Sequence, residues 1–257
     1  MSPSMPAAAD TLPPPAASAL QAHPSPMAAA IAAARSELVV QVATTPELVR
    51  EAHQLRHQVY CTERGYEPGQ NGLEVDAHDA HAAHVVLRLR ACGTVIGTAR
   101  LILPRDNGSS GGGESFPMQG VVAPGRFAAL PFPQTAEVSR FAVSKARRGI
   151  SPSAASLSRL ALVRGLVQLS QQRGVTHWCA VMERTLLRLL RASGIHFADM
   201  GPVVEYHGLR QPAWCALDAM LARMQAEQPE IWGFVTADGA FAPAMPSARA
   251  WGACQAA

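Results

Sequence analysis

The chain has 257 residues, 48% of them hydrophobic, and a formal net charge of +3, so it is long and apolar enough to bury a real core in one domain. Its five cysteines, Cys61, Cys92, Cys179, Cys215 and Cys254, form no CxxC pair, which excludes a zinc-finger pattern and argues against a disulfide framework. No apolar run reaches the length of a membrane span and no basic start precedes a continuous apolar core, so a cytoplasmic protein without an integral membrane segment is expected.

In chain order, residues 1–36 are dominated by Ala, Pro and Ser and contain Asp10 and Arg35 as their only charges. Such a segment offers little apolar surface to offset the entropy of ordering, and a disordered tail is expected. The alternative within it is Met27 to Ala34, Ala-rich enough to form an amphipathic helical lid. A domain over 37–240 and a flexible C-terminal tail over 241–257 follow. Leu38 to Val42 is a β-branched run, and Thr45 to Cys61 has helical spacing, with Thr44 or Thr45 as N-cap. Ala83 to Arg90 and Thr94 to Leu103 predict a hairpin through Cys92-Gly93. Asn107 to Glu114 is a Gly/Ser-rich insertion. A long amphipathic helix is predicted over 154–173, ended by Gly174, then a strand over 175–182 and a helix over 184–192. Pro202 to His207 is assigned to a strand and Trp214 to Glu227 to a helix. Early hairpin strands followed by a strand-helix run suggest an α+β sheet domain.

Glu137-Val138-Ser139-Arg140-Phe141-Ala142-Val143 places two full charges three residues apart in a segment that otherwise has the composition of a buried strand. Charges there need partners or a chemical role. Upstream lie Arg56 and Tyr60, Gly72-Leu73-Glu74 leading to Asp76 and Asp79, and Arg100. In this order the set resembles the acyl-homoserine lactone (autoinducer) synthases and the related N-acyl amino acid synthases, with Tyr66 where the autoinducer synthases carry a Trp. The C-terminal segments 176–183, 194–197 and 201–208 resemble a narrower group, the acyltransferases associated with exosortase and PEP-CTERM systems. The resemblance implies a GNAT-type fold, with a twisted mixed sheet that splays at its middle strands to admit an acyl thioester. It further implies N-acyl transfer to an amino acid or similar small amine.

Acyl transfer from a thioester to an amine requires a neutral amine, a stabilised oxyanion and a slot for the chain. Glu137 is the candidate base, with Ser139 and Arg140 beside it in the catalytic set. In the family fold, backbone N–H groups near a bulge on this strand meet the oxyanion, so residues from Phe141 to Ser144 are the expected donors, Phe141 and Val143 among the substrate-binding residues. Arg56, Asp76, Asp79, Arg100 and Arg140 are expected to form an ion-pair network, either touching substrate or holding the N-terminal helices. Tyr60 and Tyr66 fit a cleft wall or a plain core. His78, His81 and His84 with Asp76 and Asp79 suggest metal ligands at first sight, but their span turns away from a single ion, and no metal is expected. Cys179 lies in an apolar strand without an adjacent base and is expected to be a buried thiol.

Arg140 to Arg191 holds ten Lys or Arg against Glu183 alone, while the rest of the chain is net negative. That asymmetry suggests an anionic partner. Aromatics are sparse there, which argues against a single-strand nucleic-acid platform, and no nucleic acid is expected. Acetyl-CoA-using GNAT enzymes carry a Gln/Arg-x-x-Gly-x-Gly/Ala loop after the central strand, which Lys145-Ala146-Arg147-Arg148-Gly149-Ile150-Ser151 does not match. Lys145, Arg147 and Arg148 instead suit an acidic acyl carrier protein. Acyl-ACP is therefore favoured as donor, with acyl-CoA as the other source and no permanently bound cofactor. The competing readings are an autoinducer-type synthase and a catalytically silent GNAT-shaped binding module.

Overall fold

The computed structural model describes residues 24–66, 69, 71–105, 114–145 and 148–242. A mixed sheet is built from β1 (Leu38–Val42), β2 (Ala82–Leu89), β3 (Val95–Ile102), β4 (Thr135–Val143), β5 (His177–Met182), β6 (Ala198–Asp199), β7 (Val204–Glu205) and β8 (Leu209–Ala216). Its order is β1-β2-β3-β4-β5-β8-β6, with β7 paired to β8. β2 and β3 form the expected hairpin, turning at Gly93 with φ +71°, a backbone angle that Gly adopts without steric cost.

Two features of β4 build the cleft. It pairs with β5 in parallel over only Thr135↔His177, Ala136↔Trp178 and Glu137↔Cys179, after which the strands part. Against β3, Thr98 faces Ala142 while Arg100 faces Ser139, so Arg140 and Phe141 together oppose Ala99. Arg140 takes φ +49° there, the bent geometry of a β-bulge that re-aims a side chain. The fork opens immediately after Glu137.

Strand alternation sorts the core. Leu101 and Trp178 face the larger core, which is covered by α1 (Pro26–Glu37), α4 (Ser158–Arg173), α6 (Leu217–Glu227) and α7 (Pro229–Thr236). Their neighbours Ile102 and Cys179 face a smaller cluster with Phe116, Met118 and Phe127. α4 lies hard against β1 and β2, because at Gly165 a Cβ would stand 2.3 Å from Val85 Cγ1 and 2.7 Å from Val40 Cγ1. On the other face, α2 (Pro46–Arg56) starts at Thr45, whose hydroxyl accepts from the Leu48 N–H at 3.3 Å. It continues as a π-helical stretch, His57–Glu63.

Several expectations need correction. The tail does not extend to residue 36, because Pro26–Glu37 is helical and buries Ile31 and Ala34. Ile31, Met27 and a run of Ala suffice when a helix docks on α3 (Pro152–Ser156) and α7; the Ala-rich helix is thus a packed element. Residues 1–23, and the C-terminal tail beyond 242, lie outside the described residues, as does the Gly/Ser insertion apart from Glu114. The single helix over 154–173 is two, broken at Leu157, whose ψ is 0°. Trp214 belongs to β8, not to a helix, because it pairs with Cys179 and Ala198 and sheet burial overrides its helical spacing. The strand over 202–207 shrinks to Val204–Glu205, which turns back at Gly208 (φ +100°).

Replacing Ile31 by Ala should lower stability by about 2 kcal/mol, the low end for a buried large-to-small change. Urea denaturation midpoints check this, and an unchanged midpoint would show that α1 does not pack as described.

Candidate active site

A tight turn explains the Asp76/Asp79 spacing. Asp76 caps the helical turn Ala77–His81 by accepting from the His78 N–H at 2.9 Å, and Asp79 Oδ2 accepts from the Asp76 N–H at 2.8 Å. The reciprocal pair fixes both carboxylates toward the sheet. Asp79 receives Arg56 through both its oxygens, at 2.7 and 3.1 Å, and Arg100 Nη1 at 2.8 Å. Arg100 Nη1 also reaches Asp76 at 2.6 Å, and its Nε donates to Ser139 Oγ at 2.9 Å. Arg140, aimed by the bulge, bonds Glu74 Oε1 at 2.8 Å and Asp76 Oδ2 at 3.0 Å, while Arg56 Nε also donates to Glu74. The five residues predicted to pair do come together. Glu74 was missed as a member, although it joins Arg56 to Arg140; its signal was the carboxylate in the Gly-Leu-Glu segment, within reach of both cations.

The network is buried at Arg56 and Arg100, both 0% exposed, and half-buried at Asp76 and Arg140. Burial alone would raise the three carboxyls. The Arg140 and Arg56 contacts outweigh it at Glu74, Arg100 and Arg140 at Asp76, and the nearby His53 with Arg56 and Arg100 at Asp79, so all three stay below the usual carboxylate range. His53 and His84 flank Asp79 Oδ1 at 3.8 and 3.6 Å. Burial pushes His84 down to about 4, so it is neutral at pH 7.

These three residues bring ligand atoms within 4.8 Å of one another, the metal-like grouping found among the described residues. An ion there would stand beside Arg56 and Arg100, which already neutralise Asp79, so the donor set fits a support for the guanidinium pairs better than a cation site. His78 and His81 stay on the preceding turn, while His84 is carried into β2.

Glu137 lies at the fork, 3% exposed, with Oε2 accepting from the Met118 N–H at 2.9 Å. Burial raises its carboxyl to about 7, and the Met118 hydrogen bond and the Arg100 and Arg140 charges only partly oppose this. A carboxyl in that range can gain and lose a proton near neutrality. Ser139, Arg140, Phe141 and Val143 line the same cleft, which encloses about 340 Å³. Tyr60 and Tyr66 also line it, stacked 6.4 Å apart, with Arg140 over Tyr60 and Arg64 over both rings.

The far wall was not foreseen as a site. Val163 and Leu166 from α4, with Leu186 and Leu190 from α5 (Arg184–Ala192), make its inner end apolar, and the exposed Leu189 lies at its rim. At the mouth, Tyr206 and His207 lean in from the β7–β8 turn. Arg210 holds that turn by donating to the Tyr206 and His207 carbonyls at 3.1 and 3.0 Å while pairing with Glu183 at 2.7 Å. Sequence spacing could not reveal this wall, which is assembled only when β5 and β8 pair.

Among the expected oxyanion donors, Ser144 drops out because its N–H is bonded to the Ile96 carbonyl at 2.9 Å. Lys145 uses its backbone N–H on Glu63, Arg148 is exposed, and Arg147 lies outside the described residues. Cys179 is buried, and burial pushes its thiol well above the usual range.

Residues 55–156 match the family model of the acetyltransferase (GNAT) domain. The chain has the GNAT fold. Similar solved structures include TofI in a ternary complex with an inhibitor and MTA, at 23% identity and TM-score 0.56, covering 80% of this chain and 99% of that one. A CoA-dependent acyl-homoserine lactone synthase, BjaI, with SAM and isopentyl-CoA, is 22% identical at TM-score 0.52, covering 73% and 89%. FeeM, an N-acyl amino acid synthase from uncultured soil microbes, is 16% identical at TM-score 0.50, covering 74% and 97%. No curated protein sequence matches the chain. Among the described residues, no helix is long and apolar enough to cross a membrane.

Because His84 has a lower pKa folded than unfolded, its contribution to stability is complete above pH 6.5 and falls between 6.5 and 4. The depressed carboxyls of Glu74, Asp76 and Asp79 add a second loss as pH falls below about 4. The raised carboxyl of Glu137 works the other way, adding stability as pH falls from about 7 to 4.5 and offsetting His84, so melting temperature should stay nearly level down to about pH 4.5 and fall below pH 4. Asp79→Asn, which leaves Arg56 and Arg100 undercompensated, should cost about 3–5 kcal/mol at pH 7. Denaturant titration reads that loss, and a cost under 1 kcal/mol would mean that the network is solvated.

Proposed function

We propose that this GNAT-fold protein moves a long-chain fatty acyl group from an acyl thioester, acyl-ACP, to the amine of an amino acid or similar small molecule, in the cytoplasm. The observation that carries the reading is the polarity of one continuous cleft. Its reacting end holds a carboxyl raised to about 7, and its inner end is lined by aliphatic side chains from α4 and α5. Short acetyl donors need no such slot.

In this scheme Glu137 accepts a proton from the ammonium of the acceptor, directly or through water. The amine nitrogen attacks the thioester carbonyl and forms the C–N bond. Backbone N–H groups at the Arg140–Phe141 bulge meet the oxyanion, and collapse breaks the C–S bond to release the thiolate. Arg100 lines the cleft with its Nη2 buried and without a hydrogen-bond partner, and Arg140 beside it is half-buried, a cationic wall that supports an acceptor with a carboxylate. Arg56, Asp76 and Asp79 act by holding Arg100 and Arg140. Ser139 positions Arg100, while Tyr60 and Tyr66 wall the acceptor.

The charge network also supports a second reading, an acyl-homoserine lactone-type synthase. Tyr66 in place of Trp and the divergent sequence of the C-terminal half weigh against it. The segments that resemble the exosortase- and PEP-CTERM-associated acyltransferases supply Trp178, Met182, Tyr206 and His207 to the cleft, so the difference between the two groups falls on the substrate walls.

Glu137→Gln should cut turnover about 100-fold and abolish a rise in rate through pH 7. Mass spectrometry of lipid extracts after incubation with acyl-ACP and an amino-acid pool identifies the product; unchanged turnover across pH would remove Glu137 as base. Reversing Lys145, Arg147 and Arg148 together should raise KM for acyl-ACP and flatten its salt dependence while sparing a small thioester. Equal loss with both donors would exclude docking at this cluster.

A further inference from the structure

Where β4 ends, the chain presents anion-binding donors and fills them itself. Glu63, the last residue of the π-helical stretch, accepts at Oε1 from Ser144 Oγ at 2.6 Å and from Gln58 Nε2 at 3.2 Å. The Lys145 backbone N–H donates to its two oxygens at 3.3 and 3.1 Å. Gln58 Nε2 also donates to Ser144 Oγ at 3.0 Å, which ties the cradle together. The donors are a hydroxyl, an amide and a main-chain N–H, the kind of set that holds a phosphate oxygen as readily as a carboxylate. Partial burial favours the neutral acid, but the Ser144, Lys145 and Gln58 hydrogen bonds outweigh it and keep Glu63 ionised.

The cradle adjoins the cleft. Val143, next to Ser144, lines it, as do Cys61 and Arg64 on either side of Glu63, and Arg159 at the start of α4. Lys145 and Arg148 follow directly in the chain. A thioester with its carbonyl at the bulge and its acyl chain between α4 and α5 must send its remaining, anionic part out of the cleft, and cations gather at this end.

We propose that Glu63 occupies the seat of a donor phosphate and thereby selects against the diphosphate of coenzyme A. The inference rests on the thioester-donor reading of the cleft. A coenzyme A thioester meets a fixed like charge in the cradle. Phosphopantetheine on a carrier protein brings one phosphodiester charge, and its partner's acidic surface can engage Lys145 and Arg148 outside the cradle. Glu63 also ends the stretch that carries Tyr60, so a phosphate entering the cradle would disturb the acceptor wall.

The test is calorimetric binding of coenzyme A and of pantetheine, which lacks phosphate, to the full chain and to Glu63→Gln. Gln can still accept from Ser144 and Lys145 while removing the charge. The expected result is a roughly 10-fold drop in Kd for coenzyme A with Kd for pantetheine unchanged. A Kd ratio between the two ligands that stays the same or moves the other way, including parallel loss of both, overturns the proposal. Turnover is scored separately. If Glu63→Gln shifts the ratio as expected but the wild-type chain acylates no amine from any donor, the phosphate seat stands and the acyl-transfer reading fails.

Discussion

The structure depends on a local balance of buried charge. Arg56, Arg100 and Arg140 meet Glu74, Asp76 and Asp79, so the guanidiniums are neutralised by fixed carboxylates a few ångströms away. Glu137 is outside that set. A spare guanidinium beside it would hold it ionised, as Arg contacts do for Asp79. Because the neighbouring cations are already engaged, desolvation governs Glu137 and leaves it near 7. The network therefore limits the cationic field at the one carboxyl at the fork.

The same network brings side chains of four segments to one point. α2 contributes Arg56, the 72–81 segment contributes the acids, β3 contributes Arg100, and the bulge in β4 contributes Arg140. Ion pairs buried in this way rarely add much net stability over apolar packing. What they do provide is geometric: bidentate guanidinium contacts admit few arrangements. The positive φ at Arg140 shows this, since a non-glycine residue is held in a bent backbone while its side chain makes contacts to Glu74 and Asp76.

Much of the site could be inferred from linear order because its polar half comes from short motifs. Asp76 and Asp79 cap their own turn, and Glu137 to Arg140 share one strand. The apolar half of the cleft was hidden. Leu186, Leu189 and Leu190 have ordinary amphipathic spacing, and nothing in it distinguishes a helix that covers a core from one that walls a slot. Trp214 went wrong for a related reason, since its strand pairing depends on β5, far away in sequence; the strand over 202–207 is cut short because β7 only pairs back on the adjacent β8. Pro26–Glu37 was misjudged because composition weighs polar and small residues over a whole window, while docking depends on Met27, Ile31 and Ala34 falling on one face.

Gly165 sets a hard stop on how α4 can move. With Val85 and Val40 side-chain atoms already where its Cβ would be, the helix axis cannot approach the sheet further, and any side chain at this position would lift the helix away. Val163 and Leu166, on either side of that contact, line the cleft. The floor of the slot is therefore a rigid datum, and its depth can be changed only by side-chain volume, one residue at a time. Chain-length preference in such an arrangement would vary in discrete methylene-sized steps, with no continuous breathing of the helix to blur them.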